Sequence, residues 1–268
     1  MVPCYIVDAF VDQPFSGNPA AVVLLDKPAD DIWMQNVAAE FNLSETSFLV
    51  PVGASAGGEN VWHLRWFTPT TEVNLCGHAT LAAAHVLAHE VQNTSHEFRF
   101  QTRSGELVAS RAEDGLTLNF PRTYTEPSAD HRAITAQLGL LHFPVFKAGE
   151  DLLIEFSNAQ QVQAYQPDMD AVAALSCRGL IVTARGASET VDFVSRFFAP
   201  AFGIPEDPVT GSAHCALADY WSRQLNKTQF AAQQLSARRG YLRVELAGNR
   251  VTLNGKCKTM VRGQLDAC

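Results

Sequence analysis

Short runs of apolar residues dominate the chain, and few stretches have helical spacing. Tyr5–Phe10 and Ala20–Leu25 are rich in Val, Ala, Leu and aromatic residues and read as strands. Asp30–Phe41 places Ile32, Met34, Val37, Ala38 and Phe41 near helical spacing and predicts a helix. Thr46–Val50 and Val61–Phe67 read as strands, split by a loop holding Gly53, Gly57 and Gly58. After a helix over His78–Glu90 come strands at Phe98–Arg103, Glu106–Arg111 and Gly115–Phe120, joined by tight turns at Ser104-Gly105 and Asp114-Gly115. The second half predicts the same order: strand Leu152–Phe156, helix Asp168–Leu175, strands Gly179–Thr183 and Val191–Phe198, helix Ser212–Gln224, then strands Gly240–Leu246 and Arg250–Leu253. A linker is expected around Pro121–Pro127.

Two helices depart from the amphipathic rule. His78–Ala88 and Ser212–Trp221 are small and apolar nearly all round, which predicts burial rather than a place on the surface. A buried helix with many strands in the same half suggests a barrel wrapped around it. Each follows a glycine, where free backbone N–H groups and the positive end of the dipole make a ready anion site.

The halves also match residue by residue. Arg65-Trp66-Phe67-Thr68-Pro69 resembles Arg196-Phe197-Phe198-Ala199-Pro200, an offset of 196 − 65 = 131. Gly77-His78-Ala79 resembles Gly211-Ser212-Ala213, an offset of 211 − 77 = 134. Ser104 to Asn119 aligns without gaps on Arg239 to Asn254, an offset of 135. Colinear matches with slowly growing offsets point to a duplication. The expected fold is therefore α+β, with two pseudo-symmetric lobes, each a β-barrel around a central α-helix. The lobes are placed at 1–120 and 128–268, and the last strand, about 257–268, is open to either lobe.

The chain has 268 residues, and 47% are hydrophobic against 18% charged, ample material for a sizeable core. The formal net charge is −8 without a basic block, which speaks against nucleic acid and anionic membranes as partners. Six cysteines, none in a C-x-x-C pair, read as thiols in a reducing compartment. The opening residues lack a basic n-region followed by an apolar h-region, so no signal peptide is expected, and no run of about 18 apolar residues occurs; a cytoplasmic protein is expected.

Candidate chemistry clusters in three segments. Glu45, in Asn42-Leu43-Ser44-Glu45-Thr46-Ser47, stands between a helix and a strand and suits either an acid/base role or a solvated turn. Asp207 and Ser212, in Glu206-Asp207-Pro208-Val209-Thr210-Gly211-Ser212, suit substrate binding or simple helix capping. Cys76-Gly77-His78 begins the first buried helix; the thiol there suits a base or nucleophile, the imidazole a proton shuttle, and both suit plain packing. His85 and His89 stand at i and i+4, but no third ligand is near, so no metal is expected. Ser44, His78 and Asp207 lack the G-x-S-x-G frame of a hydrolase triad, and no nucleotide-cofactor motif occurs.

Together, Phe15-Ser16-Gly17-Asn18-Pro19-Ala20-Ala21-Val22, the Ser44-Glu45 segment, Arg65-Trp66-Phe67-Thr68-Pro69, Leu75-Cys76-Gly77-His78-Ala79-Thr80-Leu81 and Glu206–Ala213 resemble the PhzF-like family of phenazine-biosynthesis isomerases. The resemblance implies the diaminopimelate-epimerase-like fold with the active site between the lobes. It implies a cofactor-free, metal-free isomerase, commonly a homodimer, that moves a proton on a small carboxylate-bearing cyclic or amino-acid-like substrate. By the resemblance, Glu45 is the acid/base and His78 and Asp207 assist. Gly77, Gly211 and Ser212 hold the carboxylate, and Asn18, Ser44 and Thr210 lie near the substrate. The related epimerases use two opposed cysteines. Cys76 fits the first position, but Thr210 stands in the second and Cys215 lies about a turn beyond it, which disfavours a two-thiol racemase. An amino-acid epimerase and a non-catalytic binding or scaffold protein remain the alternatives.

Overall fold

The structure, a computed structural model, describes residues 1–54 and 60–266. Gly57 and Gly58 of the expected glycine loop lie outside them, and Gly53 belongs to a strand. The chain divides into two compact units, Met1–Asn119 with Asn254–Cys268, and Phe120–Leu253. Among the described residues no helix is long and apolar enough to cross a membrane.

The first unit runs β1 (Val2–Ala9), β2 (Asn18–Leu24), α1 (Asp31–Phe41), β3 (Glu45–Ala54), β4 (Asn60–Phe67), β5 (Glu72–Val73), α2 (Gly77–His89), β6 (Glu97–Thr102), β7 (Gly105–Ala112) and β8 (Gly115–Pro121). β1 pairs antiparallel with β2, β2 parallel with β3, β3 antiparallel with β4 and β4 parallel with β6. β6, β7 and β8 form an antiparallel meander, and β5 is a short arm on β4. Both expected turns hold: Gly105 and Gly115 take φ of 98° and 100°, which a side chain would resist.

The second unit runs β9 (Thr125–Pro127), α3 (His131–Gln137), β10 (Val145–Ala148), β11 (Asp151–Glu155), α4 (Ala159–Ala164), α5 (Met169–Ala173), β12 (Leu180–Arg185), β13 (Phe193–Ala199), β14 (Ile204–Asp207), α6 (Gly211–Leu225), β15 (Gln229–Gln234), β16 (Gly240–Ala247) and β17 (Arg250–Gly255). Its pairing repeats the first: β10 antiparallel with β11, β11 parallel with β12, β12 antiparallel with β13, β13 parallel with β15, β15 antiparallel with β16, and β14 a short arm on β13. β9 lies antiparallel on β10. In the first unit the corresponding place on β1 is taken by β18 (Cys257–Leu265), the last strand of the chain. The duplicated order therefore carries the C-terminal strand back to the first unit.

Two expectations need correction. Pro121–Pro127 is not a bare linker, because β8 ends at Pro121 and β9 spans Thr125–Pro127. Asp168–Leu175 is not all helix: Asp168 caps it by accepting from the Asp170 and Ala171 N–H groups, and the chain leaves the helix at Ala174 so that Leu175 enters the core.

α2 and α6 are the buried helices. α2 packs on β1, β2, β3, β7 and β18, and its side chains from His78 to Ala84 are all buried. Alanines at 79, 82, 83, 84 and 88 keep it thin enough for strands to approach on several sides. α6 is wider and anchors by its aromatic end: Trp221 stacks on Phe193 of β13 at 5.8 Å and donates through Nε1 to Thr183 Oγ1 of β12, while Tyr220 donates to Glu155 of β11. The outer faces of the strands are covered separately. Met34, Val37 and Ala38 of α1 meet Val23, Phe48 and Phe67, and Val162 of α4 and Val172 of α5 meet Ile154, Val182 and Phe198. Strands buried on both faces explain the near-continuous apolar runs.

Candidate active site

The start of α2 gathers side chains distant in sequence. Glu45 opens β3, His78 lies in the first turn of α2, and Asn18 opens β2. Asn18 reaches its place through a tight loop. Gly17 has φ of 77°, and a Cβ there would lie 2.3 Å from the Ala9 carbonyl oxygen. Ser16 Oγ closes the turn by donating to Asp12 and accepting from the Asp12 and Gln13 N–H groups.

His78 is the centre of this cluster and is 5% exposed. Asn18 Nδ2 lies 3.2 Å from its Nδ1. An amide N–H can only donate, so Nδ1 accepts and the neutral ring carries its proton on Nε2. Cys76 Sγ also lies on the Nδ1 side, at 3.5 Å. Nε2 is 3.2 Å from Glu45 Oε2, though off the line of a hydrogen bond, so a small ring rotation separates a contact from a true bond. Burial pushes the His78 pKa down to about 3, so the ring is neutral near pH 7. Cys76 is the N-cap of α2, and its side chain makes no cap bond to the first-turn N–H groups, of which Gly77 carries one. Ser44 is half-buried in the turn just before Glu45.

The start of α6 is built differently. Thr210 is its N-cap, again without a side-chain cap bond, and Gly211 is buried. Thr210 Oγ1 donates to Asp207 Oδ2 at 2.5 Å and accepts from Gln234 Nε2, while its N–H donates to Gln234 Oε1. Gln234 also donates to the Asp207 carbonyl, so one buried amide fixes the whole turn. Ser212 Oγ accepts from Arg178 Nη2 at 2.9 Å, which leaves its single proton free to donate elsewhere. Arg178 is itself held by both oxygens of buried Asp151. Cys215 packs behind with its Sγ against the Gly211 carbonyl, and burial pushes its thiol up to about 12.

Asn18, Glu45, Gly77, His78 and Cys76 thus meet in the first unit, and Asp207, Thr210, Gly211 and Ser212 in the second. Sequence reasoning missed Gln234, Arg178 and Asp151. Gln234 ends a strand with polar flanks and carries no motif. Arg178 had a signal: the offset of 134 that equates Gly77 with Gly211 equates Ser44 with Arg178, since 178 − 44 = 134. The five described cysteines, Cys4, Cys76, Cys177, Cys215 and Cys257, are all free.

The sequence profile of the family described as phenazine biosynthesis-like protein matches residues 7–264. The chain belongs to the PhzF-like family. A Pseudomonas aeruginosa protein named an uncharacterized isomerase is 46% identical over 97% of this chain and 96% of its own length. A crystal structure of a PhzF family protein from Enterococcus faecalis superposes with a TM-score of 0.91 at 42% identity, covering 98% of each chain. A hydroxyproline epimerase from Agrobacterium vitis, solved with trans-4-hydroxy-L-proline bound, shares the fold alone: TM-score 0.59 at 12% identity, over 98% of this chain and 92% of its own. This PhzF-like chain thus sits in an isomerase family whose fold extends to epimerases.

Proposed function

We propose that this PhzF-like protein is a cofactor-independent isomerase that moves a proton within a small carboxylate-bearing cyclic or amino-acid-like substrate. Glu45 is the acid/base. Its carboxylate takes a proton from a carbon near the substrate carboxylate, leaving an enolate-like anion, and returns it at another carbon; no atom is gained or lost. The observation that carries the reading is buried Glu45, with Oε2 beside the neutral His78 imidazole, at the start of α2. A neutral ring with its proton on Nε2 steadies an ionised Glu45 without protonating it, and a water-poor setting strengthens the base. First-turn N–H groups of α2, including Gly77, suit the substrate carboxylate and the developing anion. Asn18 holds the His78 tautomer, and Ser44 is assigned to substrate contact. In the second unit the oriented Ser212 hydroxyl and the Gly211 N–H are assigned to carboxylate binding, with Asp207, held by Thr210, assisting the proton relay.

One observation favours a second reading. Cys76 Sγ lies beside the same His78 ring, so a thiol epimerase of the fold's other branch has half of its machinery. The position that the resemblance gives to a second thiol falls on Thr210, which is tied to Asp207 and Gln234.

Incubation in D2O with a panel of small ring acids and amino acids, read by mass spectrometry, tests both. The isomerase reading expects deuterium in an acid whose double-bond position changes. Label confined to an α-carbon with inversion selects the epimerase, and a panel that neither exchanges nor shifts the melting temperature overturns both.

A further inference from the structure

We propose that Glu45, Cys76 and His78 form an inhibitory binding site for a thiophilic divalent cation, Zn2+ foremost. The three residues offer a carboxylate oxygen, a thiol sulfur and an imidazole nitrogen, all within 4.8 Å of one another. Two ligands of one tetrahedral zinc stand roughly 3.3–3.6 Å apart, given bonds of about 2.0–2.3 Å. The spacings here are 3.2 Å from Glu45 Oε2 to His78 Nε2 and 3.5 Å from Cys76 Sγ to His78 Nδ1. These two contacts reach opposite ring nitrogens, so closing the set on Nε2 needs the Cys76 side chain to swing to the Nε2 side, a rearrangement inside the 4.8 Å spread of the three donor atoms.

A second observation points to a ligand. His78 is 5% exposed, and its Nε2 has no hydrogen-bond partner although it faces the carboxylate. Asn18 occupies the other ring nitrogen, as an outer partner does for a metal-bound histidine. Its amide turned over presents Oδ1 to Nδ1–H, so the ring proton moves from Nε2 to Nδ1 when the metal takes Nε2. The Cys76 thiol proton leaves to solvent on binding. Three protein ligands leave one position for water or a substrate oxygen. The cation occupies the carboxylate that the proposed function assigns to proton transfer, so it blocks that step. The His85–His89 pair is the competing candidate. Its rings lie 4.6 Å apart, but His85 Nε2 pairs with Thr259 Oγ1, and Glu90 is taken by Arg262 and Thr259.

The test reads metal rather than turnover, so it is independent of the proposed reaction. Chelator-treated protein is titrated with Co2+ and then with competing Zn2+. One Co2+ per chain is expected, with a thiolate-to-cobalt charge-transfer band that Zn2+ removes. The band is absent in Cys76→Ser, and affinity falls at least tenfold in His78→Gln and Glu45→Gln but not in His85→Gln/His89→Gln. In the unmodified chain, Zn2+ should also shield Cys76 from alkylation, which needs no variant to fold. A band that survives Cys76→Ser, binding lost with His85 and His89, or Cys76 alkylated at the same rate with and without Zn2+ overturns the proposal.

Discussion

The two units keep the same frame and place their acids differently. In the first, Arg65 of β4 forks onto Glu72 of β5; in the second, Arg196 of β13 forks onto Glu206 of β14. Strand register extends the match. Thr46 pairs with Phe67 and Leu180 with Phe198, so Glu45 corresponds to Gly179. Trp66 pairs with Val73 and Phe197 with Asp207, so Val73 corresponds to Asp207. Each unit thus carries one acid where the other carries none. At Gly179 the reason is steric, because a Cβ there would lie 2.2 Å from the Phe197 ring. A duplicated scaffold can therefore hold its arginine forks constant while each copy keeps a different carboxylate, one beside an imidazole and one beside a hydroxyl.

The comparison can be broken at its frame first. Arg196 is 7% exposed and also donates to the Val162, Gln163 and Tyr165 carbonyls. Arg196→Met strands Glu206 and three acceptors and should cost about 3–5 kcal/mol in denaturant unfolding. Gly179→Glu tests the exchanged acid. It should cost about 3 kcal/mol from overpacking against Phe197 and burial of a carboxylate, with partial recovery in Gly179→Glu/Phe197→Ala. A neutral Gly179→Glu would refute the steric account.

Acid should test the two buried histidines of these helices next. Burial holds His78 at about 3 and His214 at about 4, against 6.5 for an unburied histidine. Between those values and 6.5 the unfolded chain binds protons that the folded chain refuses. Stability is therefore full above pH 6.5 and lost as pH falls towards 4, by at most about 1.4 kcal/mol per pH unit for each group. His78→Ser, which copies Ser212, should flatten that slope in melting curves between pH 6.5 and 4. The smallest effect is at Arg65, whose side chain is 26% exposed: Arg65→Met should cost about 1 kcal/mol.

Much of this was legible in the sequence. Helices that are apolar all round and start at glycine announced α2 and α6, and the colinear repeat announced two similar units. The short strands were not legible. β15, Gln-Phe-Ala-Ala-Gln-Gln, buries Gln234 because that amide satisfies Thr210 and Asp207, and no pattern of apolar residues reports such a partner. β9 and β14 are only three and four residues long and exist because β10 and β13 offer edges. Of the candidate residues, Glu45 and His78 in the first unit and Asp207 in the second drew their roles from motif resemblance. The contact between Asn18 and His78, sixty residues apart, needed the β1–β2 pairing and the Gly17 turn.

The most direct test of the account is deuterium wash-in to an acid that the wild-type protein exchanges, repeated with Glu45→Gln at matched binding. Removing the acid/base should slow exchange by about 10²–10⁴-fold while the ligand-induced melting shift is kept. Exchange at the wild-type rate in Glu45→Gln would contradict it and move the proton transfer to another group, with Cys76 first in line.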